Sequence, residues 1–156
     1  MKTYTLLLLP LLTLLSGCNF QTNEEINMKK MVEEFVSAVQ HNDENRATEI
    51  LLDLAGFRTL NPDVSARVDA GSFTDAVLSD LVANFRNMEA YFRGKTLKVK
   101  SFTTGGQWYQ YKGFSSFKDN VVVVDANGED VEFIIRGIVR IGEKWRIVDL
   151  SDNGLF

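Results

Sequence analysis

The feature that most constrains this chain is a change of hydrophobic period near Lys95. Before it, apolar residues recur at steps of three and four, the repeat of one helix face. After it they alternate every second position, the repeat of a half-buried strand. Helical segments followed by a run of strands specify an α+β fold, N-terminal helices followed by an antiparallel sheet of four to five strands.

The first helix is expected from Asn23 to Gln40. Thr22 and Glu25 have capping-box spacing, and Met28, Met31, Val32, Phe35, Val36 and Val39 form one apolar stripe. His41-Asn42-Asp43 breaks the pattern. Asn42 or Asp43 then caps a second helix from Glu44 to Ala55, buried through Ala47, Ile50, Leu51 and Leu54, with Gly56 at the left-handed C-terminal position. Between Phe57 and Gly71, Asn61-Pro62 marks a turn or a short helix start, and Ala66 to Asp69 a brief extended piece. Ser72 with Asp75 opens the longest helix, which ends before Gly94. Its stripe is Val77, Leu78, Leu81, Val82, Phe85, Met88 and Phe92.

The strands begin with Thr96 to Phe102. Gly105-Gly106 is expected to turn the chain into an aromatic strand from Gln107 to Phe117, followed by a short β-branched run from Asn120 to Val124. Asp125-Ala126-Asn127-Gly128 is a hairpin turn, and Val131 to Ile141 pairs with Lys144 to Leu150 across Gly142-Glu143. The apolar phase slips near Val148, which calls for a bulge or burial on both sides.

Ahead of this domain stands a different kind of segment. Lys2 is followed by a nearly pure leucine run from Leu6 to Leu15, too short to span a bilayer as a helix. Leu15-Ser16-Gly17-Cys18 resembles the lipobox of bacterial lipoproteins. The resemblance implies a leader over 1–17, lipid on Cys18, a short tether to residue 23 and one domain over 24–156. Cys18 is the only cysteine, so the domain has no internal disulfide to form. Two or three acyl chains hold a protein on a bilayer where one does not. The expected partner is therefore a membrane and the expected location the cell envelope. Asn19, rather than an aspartate, follows the cysteine, which favours the outer membrane if the source is Gram-negative.

The formal net charge of −4 leaves no basic stripe for phosphate neutralisation, which argues against nucleic acid as a partner. One histidine and one cysteine leave only carboxylates for a metal, and the expected cofactor and metal sets are empty. Asp125 to Asp130 has a calcium-loop flavour but lacks the full ligand spacing, so a turn is the better reading.

The order of elements resembles the nuclear-transport-factor-2-like, or cystatin-like, α+β cone over Glu24 to Leu150. Its best local marks are Val32-Glu33-Glu34-Phe35-Val36-Ser37-Ala38-Val39-Gln40 and the closing Gly142 to Leu150. The resemblance implies a sheet wrapped around the long helix to make a pocket, and a small strand pair near Phe57 to Gly71. Isomerases of that superfamily place a tyrosine on the first helix, where this chain has Phe35, and its dehydratases favour His with Asp, whereas His41 sits at a helix end. No catalytic residue transfers.

Trp108-Tyr109-Gln110-Tyr111 puts aromatics on successive strand positions, hence on both faces of a sheet. With Phe35, Phe85 and Trp145, the aromatics Trp108, Tyr109 and Tyr111 are the candidate lining of a pocket or interface for a small ligand, an envelope protein or a second copy. Core packing is the alternative reading for all of them. The leading expectation is a non-enzymatic, lipid-anchored binding domain. Its alternative is an isomerase or dehydratase, which would need an acid such as Asp53, Asp69 or Asp149 buried in the pocket.

Overall fold

A computed structural model describes residues 22–62, 68–111 and 114–150, with the main chain alone at 76, 107–111 and 114. The fold is α+β. Helices α1 (Asn23–His41), α2 (Glu44–Ile50), α3 (Leu54–Leu60), α4 (Ala70–Phe73) and α5 (Ser79–Phe92) precede an antiparallel sheet. Its strands are β1 (Leu97–Thr103), β2 (Gln107–Tyr111), β3 (Phe114–Ala126), β4 (Glu129–Ile141) and β5 (Lys144–Asp149). Cys18 and residues 1–17, where a leader is expected, lie outside the described residues. No described helix is long and apolar enough to cross a membrane.

Helix α1 starts where its cap dictates. The Thr22 hydroxyl accepts from the Glu25 N–H at 3.2 Å, while the Glu25 carboxylate accepts from the Thr22 N–H at 2.8 Å. Met28, Met31, Val32, Phe35, Val36 and Val39 are all buried, as the stripe requires. At the other end His41 Nδ1 donates to the Ser37 carbonyl at 2.7 Å, a helix-terminal role that places the proton on Nδ1.

The second helix departs from expectation. It is capped by Asp43 but stops at Ile50, because Leu51 forms a parallel bridge with Ile147 and the Leu52 N–H donates to the Ile147 carbonyl at 2.9 Å. Covering the edge of β5 satisfies main-chain groups that continued helix would leave open. Asp53 then caps α3, and Gly56 lies inside that helix rather than at a left-handed C-cap. A Cβ there would stand 2.9 Å from Leu52 Cδ1 and 3.0 Å from Ile141 Cδ1, so close approach accounts for the glycine.

The long helix begins earlier than Ser72. Asp69 is its N-cap, accepting from the Ser72 N–H at 2.7 Å, and α4 continues through a π-turn (Thr74–Leu78) into α5. Helix α3 occupies part of the stretch where a small strand pair was expected; positions 66 and 67 lie outside the described residues.

Gly105-Gly106 does not reverse the chain. β1 and β2 both pair antiparallel with β3 along the same edge, β1 against Val121 to Ala126 and β2 against Phe114 to Phe117. β2 and β3 are antiparallel neighbours with Tyr111 paired to Phe114, so the expected aromatic strand is two strands. β3 pairs with β4 and β4 with β5 in sequence order. The two later hairpins turn where expected, with positive φ at Asn127, Gly128 and Gly142.

A crease crosses the sheet. Gly105 N–H donates to the Lys118 carbonyl, Lys118 opposes Gly137, and Gly137 opposes Asp149 beside the bulged residue Val148. At this line Asp119 adopts φ 50° and the burial phase slips. The core residues of β3 are Val122, Val124 and Ala126 beyond the crease but Phe117 before it. Those of β4 are Val131, Phe133 and Ile135, then Ile138. Each strand thus changes the parity of the residues it buries, and one core is served on both sides of the line. The slip read at Val148 is part of this device.

Candidate functional site

Among the described residues, the space between helices and sheet around Phe35 and Phe85, where a pocket was expected, is packed. Phe35 and Phe85 are completely buried, with ring centroids 6.0 Å apart in an edge-to-face contact. A ligand reaches neither ring without opening the core, so their role is packing.

The acids proposed for catalysis are exposed. Asp53 and Asp69 serve as caps of α3 and α4, and Asp149 lies on the solvent side of β5. Among the described residues the buried polar side chains are Ser115, Ser116 and Asn120, none of them ionisable. No group of three metal-ligating side chains is found among the described residues. Asp125 to Asp130 forms the β3–β4 turn, with Asp125 accepting from the Gly128 N–H at 2.6 Å.

Trp108, Tyr109 and Tyr111 lie on β2 at the sheet edge, and Trp108 is the extra residue of a bulge between Gln107 and Tyr109. Their side chains are outside the described part. Trp145 is different. It is 9% exposed, its ring lies 5.8 Å from that of Phe117, and the Arg140 guanidinium sits over it at 5.8 Å. The Glu24 carboxylate holds Arg140 at 2.7 Å, tying the first turn of α1 to β4 beside the indole.

Trp145 forms, with Met31 and Ile50, the apolar floor of an open groove of about 590 Å³ between α1, α2 and the β4–β5 hairpin. The walls are ionic. α1 contributes Lys30 and Glu34, α2 contributes Arg46 and Glu49, and the hairpin contributes Glu143 and Arg146. Arg146 is the most enclosed of these cations. Its side chain is 15% exposed, it donates to the Trp145 carbonyl at 3.1 Å, and its nearest carboxylate is Asp53 at 3.7 Å. The other five make no ion pair within 4.0 Å among the described residues.

Of the singled-out aromatics whose side chains are described, Phe35, Phe85 and Trp145, only Trp145 lines this groove. None of the six charged residues was singled out as a site in the sequence. Each element's pair of opposite charges three or four positions apart is ordinary surface composition. Only the packing of 30–34, 46–49 and 143–146 against one another makes a site of them. The chain matches no protein-family model, no curated protein and no solved structure.

Proposed function

We propose that this chain is a lipid-anchored cell-envelope domain of cone-like type that binds a ligand or partner protein in the α1–α2–hairpin groove and performs no chemistry on it. The carrying observation is the contrast between the packed interior around Phe35 and Phe85 and an open, charged groove floored by Trp145. Leu15-Ser16-Gly17-Cys18 supports the anchor. Five residue steps separate Cys18 from Asn23, a reach of at most about 18 Å. A bilayer anchor at Cys18 therefore keeps the first turns of α1, and the Asn27 end of the groove, close to the membrane surface.

Two measurements test the two halves. Labelled palmitate enters the wild-type chain in a bacterial host and not Cys18→Ala, which moves to the soluble fraction; retention of that variant on membranes overturns the anchor. A photo-crosslinker at Glu49 captures a discrete adduct that the same group at Glu132, on the exposed side of β4, does not. Equal capture at both positions overturns the groove as the binding face.

A further inference from the structure

We infer that the groove takes a polypeptide segment carrying both positive and negative side chains, a proposal that rests on the groove's being the binding face. Three features point to this class. First, every wall presents one cation and one carboxylate: Lys30 with Glu34, Arg46 with Glu49, and Arg146 with Glu143. Second, these charges do not neutralise one another, since none of the six pairs with another within 4.0 Å. Third, the apolar floor is confined to Met31, Ile50 and Trp145, each almost fully covered already, so an apolar small molecule would bury little surface there.

Charge pattern then decides the occupant. A polyanion meets three cations and three carboxylates, so its attractions and repulsions cancel, and a polycation fares the same. A segment with both signs pairs with each wall in turn and leaves no like charges opposed. The groove is open to solvent and bordered by three separate elements, so a bound segment can reach all three walls from outside. Because the pairs are solvent-facing, the interaction is weakened by salt.

The test uses the full-length chain in detergent micelles and three glycine-spaced peptides of equal length, one alternating lysine and glutamate, one all lysine and one all glutamate. The readout is the indole N–H resonance of Trp145, assigned with Trp145→Phe. The mixed peptide gives a saturable shift and binds at least about tenfold more tightly than either like-charged peptide. Arg46→Glu weakens it by about tenfold, and the exchange R46E/E49R, which restores both signs on α2, recovers binding. A like-charged peptide that shifts Trp145 with equal affinity overturns the mixed-charge class and leaves the groove a binding face. No shift with any of the three peptides overturns the class, and the crosslinking at Glu49 then reports separately on the face.

Discussion

The side-chain amide of Asn120 on β3 donates a 2.9 Å hydrogen bond to the main-chain oxygen of Ile135, its own register partner on β4. The same nitrogen donates at 3.2 Å to the Phe117 carbonyl, and the residue is completely buried. Asn120 thus pins β3 to β4 beside Asp119, which holds a positive φ at the crease.

Removing that clasp should be costly. Asn120→Ala leaves two buried carbonyls without these donors and is expected to destabilise the domain by about 2 kcal/mol, read by urea denaturation. Asn120→Asp is worse at neutral pH, because a buried carboxylate accepts but does not donate. Burial raises the pKa of that acid in the folded state, so its deficit shrinks as pH falls and grows as pH rises through the raised value. A variant whose relative stability ignores pH would show that the site is not closed to water.

Gly137 and Val148 make a second contact at the crease. A Cβ on Gly137 would lie 2.6 Å from Val148 Cγ2 and 3.3 Å from Asp149 Cβ. Val148 is stiff at χ1 and has no easy retreat, so Gly137→Ala is expected to cost about 1–3 kcal/mol. Val148→Ala should recover part of the loss, giving a favourable coupling in a double-mutant cycle. Strict additivity of the two substitutions would place the strain elsewhere.

The start of α1 provides a local control. Thr22→Ala removes one half of the capping box and should cost about 1 kcal/mol, whereas Glu25→Gln keeps an acceptor at N3 and should cost less. Equal losses in thermal denaturation would mean that charge near the helix N-terminus matters more than the hydrogen bond.

Asp69 links the long helix to pH. Hydrogen bonds from Ser72, the main-chain N–H first, hold its carboxyl below the usual carboxylate value. A lowered native pKa stabilises the fold above the unfolded-state value, and that contribution is lost as pH falls through the native one. Asp69 is exposed, so the effect is small. Asp69→Asn should flatten the acid side of the stability profile, and an unchanged acid limb would remove this cap from the account.

Much of the local structure was legible in the residues themselves. The Thr22 cap, the stripe of α1, the turns at Asn127-Gly128 and Gly142-Glu143 and the slip at Val148 all depend on neighbours within a few positions. Period and capping chemistry therefore report them directly. The start of the long helix, expected at Ser72, lies instead at the cap residue Asp69. Asp69 and Ser72 both suit an N-cap, and the π-turn after Phe73 lets the helix start at the earlier one without losing its buried face.

What the sequence by itself determined is the α+β order of this protein, helices before Lys95 and strands after it, because hydrophobic period is a local property. Tertiary structure alone decided where those elements break and what they meet. Leu51 leaves its helix because Ile147 is there to pair with, and Gly105-Gly106 kinks rather than reverses because Lys118 supplies the partner groups. The groove follows the same rule. Lys30, Arg46 and Arg146 are distant in the chain, and their common wall exists only because packing the core sets α1, α2 and the last hairpin side by side.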